Sequence, residues 1–209
     1  MNFYLHKPAA NSINTLLSSQ TYADFTYQMV GHTADKNAHN QPIRGYKLDH
    51  NRVQLGQGQA CFERAKAAIR QWQMFDLGWV QIVDSNAQIE VGTLAGVIAK
   101  SFGFWSVNVC RIVYTLDESA AEMTRFGFGY GTLPAHIERG EERFSVEHHH
   151  TDDTVWYDIL AFSRPNRLIA KFGYPFTRQF QKRFARDSKR AMVQVIKEEK
   201  LIVNNGALL

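Results

Sequence analysis

A strand in which every second residue is glycine constrains the fold of this chain more than any other feature. The run FGFGYG spans Phe126 to Gly131. Because alternate strand residues point to opposite faces, Phe126, Phe128 and Tyr130 would share one face and the glycines the other. A phosphate-binding glycine loop would instead lead into a helix, and no helical periodicity follows in TLPAHIERGEERF. We therefore predict a bent strand whose glycine face admits a helix or a ligand at close range.

The order of the other predicted elements indicates an α+β fold with a mostly antiparallel sheet, because consecutive strands can be joined by hairpins. A short helix is predicted over Ile13–Ser19, an amphipathic helix over Ala60–Trp72, and a surface loop over His32–His50. Predicted strands cover Phe25–Gly31, Arg52–Gly58, Trp79–Asp84, Glu90–Ala99, Phe104–Leu116, Met123–Thr132, Arg143–His149 and Thr154–Phe162.

The remainder of the chain is predicted to be one long helix over residues 164–200, interrupted near Pro175. Its apolar stripe needs a concave surface, so we predict a strongly curved sheet wrapped around it. Residues 1–209 would form a single domain with an N-terminal extension over residues 1–24. The helix carries eleven Lys or Arg and three Asp or Glu, a net charge of +8. It could contact anionic lipid or nucleic acid, or its charges could simply be solvated above a buried stripe.

Composition excludes several classes of protein. The net charge of +4 does not by itself predict a nucleic-acid partner, and none is expected. Two cysteines without CxxC spacing favour a reducing, cytoplasmic setting over a disulfide framework. The start of the chain lacks the apolar segment of a signal peptide. The membrane-like run Val91–Cys110 has Lys100 at its centre, so two strands joined by a turn at Ser101–Gly103 fit better than a transmembrane helix.

Ionisable residues follow the glycine strand and suggest possible chemistry. His136 with Glu141 or Glu142 could act as an acid–base pair, and Glu138 could join them. The alternative is a solvated hairpin connection with its turn at Arg139-Gly140. Strand alternation would put His148 and His150 on one side, where zinc or nickel could bind, but the TDDT turn beside them favours exposed histidines. No metal site and no nucleotide, flavin or other cofactor is therefore predicted.

Three blocks of sequence are similar to the uncharacterised family called "domain of unknown function nineteen-ninety". They are LGQGQACFERAKAAIRQWQMF, FGFGYGTLPAHIERGEERFSV and DILAFSRPNRLIAKFGYPFTRQFQKRFARDSKRAM, with TYQMVGHT before them. The resemblance extends from about Phe25 to Lys197. That family is similar to the START and polyketide-cyclase-like superfamily, which implies a helix-grip fold with a cavity between the sheet and the C-terminal helix. It implies no established reaction and no catalytic residue.

The resemblance implies that an apolar or amphipathic small molecule, such as a lipid, isoprenoid or polyketide-like compound, binds in this cavity. An enzyme of cyclase or hydrolase type in the same cavity is the alternative, and peripheral membrane contact through the basic helix is a third. Arg111, Tyr130 and His136 are polar candidates for orienting a ligand, although every aromatic candidate could equally fill the core. The candidate lining residues are Trp105, Phe128, Tyr130, Phe144, Trp156, Phe162, Phe180 and Phe184.

Overall fold

A computed structural model describes residues 3–166 and 174–206, with the side chains of the last helix described over residues 178–198. Within these residues there are three α-helices and eight strands. The helices are α1 (Ala10–Ser19), α2 (Gln59–Arg70) and α3 (Tyr174–Gly206). The strands are β1 (Phe3–Tyr4), β2 (Lys47–Gln57), β3 (Val80–Ile82), β4 (Leu94–Ser101), β5 (Phe104–Ser119), β6 (Met123–Thr132), β7 (Glu138–His149) and β8 (Thr154–Pro165).

The strands form one antiparallel sheet in the order β2-β8-β7-β6-β5-β4-β3, and β1 pairs with β5 outside this path. The sheet curls around α3, which packs against α2, β2 and β8. This confirms the predicted α+β helix-grip fold. We call the side of the sheet that faces α2 and α3 the inner face, and the opposite side, which α1 and residues 20–46 cover, the outer face.

The inner face carries the main core, as the alternation in β6 predicts. Phe128 and Phe144 are opposite each other on β6 and β7, and both are fully buried. Their rings meet Trp72 and Phe75, which follow the C-terminal end of α2. The apolar stripe of α3 completes this core with Phe184, Met192 and Ile196. Burying an aromatic side chain of this kind contributes about 2 kcal/mol, so these rings hold α2 and α3 against the sheet.

Gly129 and Gly131 of β6 face outward and make room for aromatic rings. A Cβ atom at Gly129 would lie 2.4 Å from Cζ of Tyr114, and one at Gly131 would lie 2.1 Å from the hydroxyl oxygen of Tyr27. The close approach predicted for this face is therefore real, but the approaching groups are tyrosine rings from β5 and from the segment after α1.

Two predicted elements are wrong. Phe25–Gly31 is not a strand, because Tyr27 turns towards β7 to hydrogen-bond Glu141 and Gly31 adopts a φ of +85°. The predicted turn at Arg139-Gly140 lies inside β7, since a Cβ at Gly140 would sit 1.9 Å from the carbonyl oxygen of Phe162 and glycine there lets β8 approach.

The start of the last helix also differs from the prediction. β8 continues through Pro165, so residues 164 and 165 are strand. α3 includes Tyr174 and Pro175, and the rest of the predicted interruption near Pro175 falls in residues 167–173, outside the described part of the chain. The turn at Ser101–Gly103 is confirmed in position, because Ser101 pairs with Phe104 and the two residues between them form the turn.

Candidate functional site

A cavity of about 350 Å³ separates the inner face of the sheet from α3. Its wall is apolar where the sheet meets the helix and polar towards the end of the sheet at which β7 begins. The apolar lining includes Phe75, Val80, Val97, Ala99, Ile159, Phe180 and Phe184. The polar lining includes Asn108, Tyr130, His136, Glu138, Glu142 and Gln181. Its volume lies at the lower end of the roughly 300–1,000 Å³ found for small-molecule pockets.

Glu142 places a carboxyl group on the cavity wall beside an aromatic hydroxyl. The Tyr130 hydroxyl, directly across from it on β6, donates a hydrogen bond to Oε2 of Glu142 at 3.0 Å. Burial raises the pKa of Glu142 to about 8, and the nearby Glu138 and Asp49 carboxylates add to this, while the bond from Tyr130 acts against it. Burial likewise raises the pKa of Tyr130 well above its usual range. At neutral pH both groups therefore hold their protons.

Glu138 lies four residues earlier on the same face of β7. Its Oε1 accepts a hydrogen bond of 2.5 Å from the Gln181 amide of α3, which also donates to the Ser163 hydroxyl at 2.8 Å. Burial raises the pKa of Glu138 to about 7, although Gln181 and Arg178 favour its ionised form. The cavity thus has a second carboxyl group that titrates near neutral pH, and this one joins the sheet to α3.

His136 lies just before β7 and is neutral at physiological pH. Its Nδ1 accepts a hydrogen bond of 2.9 Å from the backbone N–H of Glu138, which favours the tautomer with the ring proton on Nε2, and Nδ1 also lies 3.2 Å from the carbonyl oxygen of Glu138. Burial lowers its pKa to about 4. A neutral imidazole of this tautomer can donate one hydrogen bond and cannot supply positive charge to a ligand.

Arg178 closes the same end of the cavity from α3. Its guanidinium forms a two-pronged ion pair with Asp49 of β2, in which Nη2 lies 2.8 Å from Oδ1, and Nη1 also donates to Gln181. Bidentate pairs of this type fix orientation as well as adding energy. Further cations of α3, namely Lys182, Arg186 and Lys189, border the cavity on the helix side. None of them contributes to the pKa of Glu142.

The structure does not bring the carboxylate of Glu141 together with His136, as the predicted acid–base pairing would require. Although Glu141 contributes to the wall, its carboxylate lies on the outer face and is 2% exposed. It accepts hydrogen bonds from the Tyr27 hydroxyl at 2.7 Å, from the backbone N–H groups of Gly31 and Thr33, and from the Thr33 hydroxyl. Adjacent strand residues face opposite sides, so Glu141 anchors the outer loop while Glu142 borders the cavity.

The predicted aromatic lining divides into four groups, of which three lie in or beside the cavity. Tyr130, Phe180 and Phe184 border the cavity, whereas Phe128 and Phe144 are fully buried in the core beside it. Phe162 contributes to the wall, but its ring packs on the outer face against aromatic residues that include Tyr27 and Tyr46.

Two other predicted lining residues, Trp105 and Trp156, and the polar candidate Arg111 lie away from the cavity. Trp105 packs on the outer face with Ile13 of α1. Arg111 donates three hydrogen bonds to the backbone carbonyls of Gln20, Thr21 and Ala23, after the end of α1. Trp156 lies beneath the guanidinium of Arg52, with 5.0 Å between that group and the ring centroid.

Glu138 and Glu142 are both named from the sequence, whereas Gln181 and the pair Asp49–Arg178, which also border the cavity, are not. The spacing of Glu138 and Glu142 indicates that the two carboxyl groups lie on the same side of the sheet, because strand residues four positions apart share a face. The pairing of Asp49 with Arg178 joins residues 129 positions apart, and no local pattern indicates it.

The three adjacent histidines are divided between the two faces of β7 and the turn after it. Nε2 of His148 lies 2.7 Å from Oδ1 of Asp153, and Nε2 of His149 lies 3.4 Å from Oε2 of Glu147. Over residues 3–166 and 174–206, no group of three or more His, Cys, Asp or Glu side chains is arranged to hold a metal ion.

The basic face of α3 is organised around one carboxylate. Asp187 lies within 4 Å of the guanidinium groups of Arg183, Arg186 and Arg190, and it accepts a hydrogen bond of 3.1 Å from the Trp79 indole. Arg183 also stacks over the Trp79 ring at 4.1 Å. Contact of this face with membranes or nucleic acid stays a prediction. Among the described helices, none has the length and apolarity needed to cross a membrane.

Solved structures with related shapes share little sequence with this chain. The crystal structure of Ara h 8.0201 is 13% identical, covers 74% of this chain and 99% of its own, and has a TM-score of 0.47. The structure of norcoclaurine synthase from Thalictrum flavum in complex with dopamine and hydroxybenzaldehyde is 10% identical, covers 73% of this chain and 87% of its own, and has a TM-score of 0.41.

Relatives in sequence are much more similar. A UPF0548 protein of Dictyostelium discoideum is 34% identical over 206 residues, which cover 93% of this chain and 95% of that protein. A UPF0548 protein of Deinococcus radiodurans is 35% identical over 185 residues, which cover 83% and 86% of the two chains. Residues 26–191 match the family described as "Domain of unknown function (DUF1990)". That match includes the glycine strand, the cavity carboxyl groups and the first half of α3, and the chain therefore belongs to the DUF1990 family.

Proposed function

We propose that this protein binds a compact amphipathic small molecule in the cavity between the sheet and α3. The observation that carries the proposal is the composition of the cavity wall, which is apolar on one side and bears Tyr130, His136, Glu138 and Glu142 at one end. Pockets that bind small molecules are mostly apolar with a few convergent polar groups. A short lipid, an isoprenoid or a polyketide-like compound of modest size would satisfy both parts of the wall.

The apolar wall supports binding rather than simple core filling, because it leaves space beside large side chains. Phe180 and Phe184 of α3 are only partly buried, and Ala161 on the opposite strand is also partly accessible. Native cores are packed to crystal-like density with few voids larger than water. A ligand that filled this space would stabilise the folded state in proportion to its occupancy.

Native mass spectrometry of the protein purified gently from its own source is the first test. We expect a discrete extra mass of a few hundred daltons, which extraction would then identify. The same measurement would follow incubation with decanol, using the variant Ala161→Phe to fill the cavity and Ala121→Phe, at an exposed position, as its matched control. Loss of decanol binding in Ala161→Phe alone supports the proposal. Equal binding by both variants, or no bound mass in any preparation, contradicts it.

Acid–base catalysis in the same cavity is a second candidate, and one observation favours it. Burial raises the pKa of Glu142 to about 8, and Tyr130 is within hydrogen-bond distance of its carboxyl group. A carboxylic acid that keeps its proton at neutral pH can act as a general acid. In this hypothesis Glu142 and Tyr130 take the place of the predicted pair of His136 and Glu141. The predicted reaction class, a cyclase or a hydrolase, stays the same.

The enzyme hypothesis is tested on the compound identified by extraction. Wild-type protein, Glu142→Gln and His136→Ala would each be incubated with that compound, and products followed by mass. Conversion that Glu142→Gln abolishes without loss of binding supports catalysis. Binding without any conversion by the wild-type protein contradicts it and leaves the binding function in place.

A further inference from the structure

Two polar atoms in the cavity wall have no hydrogen-bond partner within the described part of the chain, namely Oε1 of Glu142 and Nε2 of His136. The other carboxyl oxygen of Glu142 binds Tyr130, and the other ring nitrogen of His136 binds the backbone of Glu138. Both residues line the cavity, and neither atom is among the fully buried polar atoms that lack a partner. Both atoms are therefore accessible to a ligand in the cavity.

The pair Tyr130–Glu142 has one more proton than its own hydrogen bond needs. Burial raises the pKa of both groups, that of Glu142 to about 8, so the pair holds two protons at neutral pH. If the phenol donates to the carboxyl group, the acid proton is left over; if the acid donates to the phenol, the phenol proton is left over. In either arrangement the pair can donate one hydrogen bond into the cavity.

His136 supplies a second donor from the connection between β6 and β7. The hydrogen bond from the backbone N–H of Glu138 to Nδ1 favours the tautomer with the ring proton on Nε2. The imidazole is neutral, because burial lowers its pKa to about 4. The cavity therefore has two donors at its polar end, and neither of them carries a charge.

The side-chain acceptors at the same end are already used within the fold. The amide oxygen of Gln181 accepts a hydrogen bond of 2.6 Å from Arg178, and that of Asn108 accepts one of 3.3 Å from a backbone N–H of the β6–β7 connection. The carboxyl group of Glu138 accepts from Gln181, and a hydrogen bond with Ser163 also favours its ionised form. A ligand would thus meet unused donors beside acceptors that are already bonded.

We propose that the polar group of the ligand is an uncharged carbonyl, as in a ketone, an ester or a lactone, which accepts hydrogen bonds from His136 and from the pair Tyr130–Glu142. A carbonyl oxygen has two lone pairs and no proton, so it can satisfy both donors. A hydroxyl in its place would bury a proton that lacks an acceptor, and a carboxylate would bring negative charge towards acidic groups. This inference rests on the proposed binding function and names the ligand class for it.

The test compares 2-decanone with 2-decanol, which share a carbon skeleton and differ only at the carbon that bears the oxygen. Native mass spectrometry or calorimetry would give both dissociation constants at about pH 6.5, where Glu142 keeps its proton. We expect the wild-type protein to bind the ketone about tenfold more tightly, because the buried alcohol proton would lack an acceptor.

Two substitutions of His136 separate its donor from its bond within the fold. Asn can place Oδ1 where Nδ1 lies and still accept from the backbone N–H of Glu138, but it does not reach the position of Nε2. Gln can place an N–H group at that position. We expect His136→Asn to lose most of the preference for the ketone and His136→Gln to retain it, with thermal unfolding to check that both variants are folded.

The pair Tyr130–Glu142 gives a second measurement that does not depend on His136. Tyr130→Phe and Glu142→Met each leave one O–H group in the pair, so each single variant should keep a preference for the ketone. The double variant has neither O–H group and should lose most of it. Such a result is far from additive, as expected for two groups that share one spare proton.

The contrary outcomes distinguish this inference from the binding function itself. Equal affinity of the wild-type protein for 2-decanone and 2-decanol would overturn the carbonyl assignment and leave the binding function in place. A preference for the ketone that persists in both His136→Asn and the double variant would overturn it as well. If the folded wild-type protein binds neither compound, the binding function and the carbonyl assignment are both contradicted.

Discussion

Thr33 donates two hydrogen bonds to the carboxylate of Glu141, one of 2.8 Å from its backbone N–H and one of 2.5 Å from its hydroxyl. Both residues are buried beneath the outer loop. Arg143, two residues along β7, donates to the carbonyl oxygen of Thr33 at 2.7 Å and to Asp158 at 2.8 Å. Charged side chains of β7 therefore hold the loop to the outer face through its backbone.

Replacing Glu141 with Gln should destabilise the protein by about 2–3 kcal/mol. The amide keeps the shape but removes the charge from four hydrogen bonds and presents N–H groups to donors. Urea unfolding measures this, and Glu122→Gln, at an exposed position, is the matched control with an expected change below about 0.5 kcal/mol. Equal stability of the two variants would contradict the anchoring role of Glu141.

Gly129→Ala should cost about 2 kcal/mol or more, because its Cβ would lie 2.4–2.6 Å from two ring carbons and the hydroxyl oxygen of Tyr114. The ring cannot move freely, since its hydroxyl is 2.7 Å from that of Thr33. Combining Gly129→Ala with Tyr114→Ala should cost less than the sum of the single changes, measured by denaturant unfolding. Strict additivity would show that the ring is not what requires glycine.

Glu142 should make the wild-type protein less stable as pH rises. Its pKa is about 8 in the folded state against an ordinary value of 4.5, so the folded state retains a proton that the unfolded state has lost between these values. The resulting destabilisation is absent below pH 4.5, grows between pH 4.5 and 8, and is complete above pH 8.

Glu142→Gln removes this titration. We expect the variant to be more stable than the wild-type protein above pH 8 by about 2 kcal/mol, because water in the cavity partly screens the ionised form, and similar to it near pH 4.5. Denaturant unfolding across this pH range measures the difference. A difference that does not change with pH would mean that Glu142 ionises as it would in water.

The proposed binding function also predicts a preference for head groups. At pH 8.5 Glu142 is ionised in more than half of the molecules, and its negative charge repels an anionic ligand. Decanol should therefore bind about tenfold more tightly than decanoate. Glu142→Gln should reduce this preference, and native mass spectrometry or calorimetry can measure both ligands. Tighter binding of decanoate would show instead that Lys182, Arg186 or Lys189 orients the ligand.

Period-two alternation predicts the sheet well and the site only in part. It correctly gives the faces of β6, since Phe128 and Tyr130 face inward while Gly129 and Gly131 face outward. The same rule separates Glu141 from Glu142, but only once both are known to lie within a strand. If Gly140 is interpreted as a turn residue, Glu141 and Glu142 are not recognised as strand residues. From the sequence alone, a glycine that lets β8 approach closely cannot be distinguished from a glycine that forms a turn.

Contacts between distant segments limit what the sequence predicts about the site. Arg111 and Trp105 are residue types that often bind ligands. In this fold, however, Arg111 donates its hydrogen bonds to the residues that follow α1, and α1 itself covers Trp105. Residues 25–31 have strand-like composition, but their partners are the side chain of Glu141 and the end of β6 rather than a neighbouring strand. Which partner each of these residues contacts is determined only when the distant segments come together in the folded protein.

The pairing of β2 with β8 governs when the protein can finish folding. Leu48 is opposite Phe162, so one edge of the sheet is completed by a strand that emerges from the ribosome more than a hundred residues before its partner. The strands from β4 to β8 can pair with sequential neighbours as they are synthesised, whereas β2 must wait. Pairing across such a sequence separation slows folding, because the loop must close before the contacts form. During translation β2 and the outer loop after α1 would remain exposed until β8 is made, and unpaired strand edges of this kind favour aggregation.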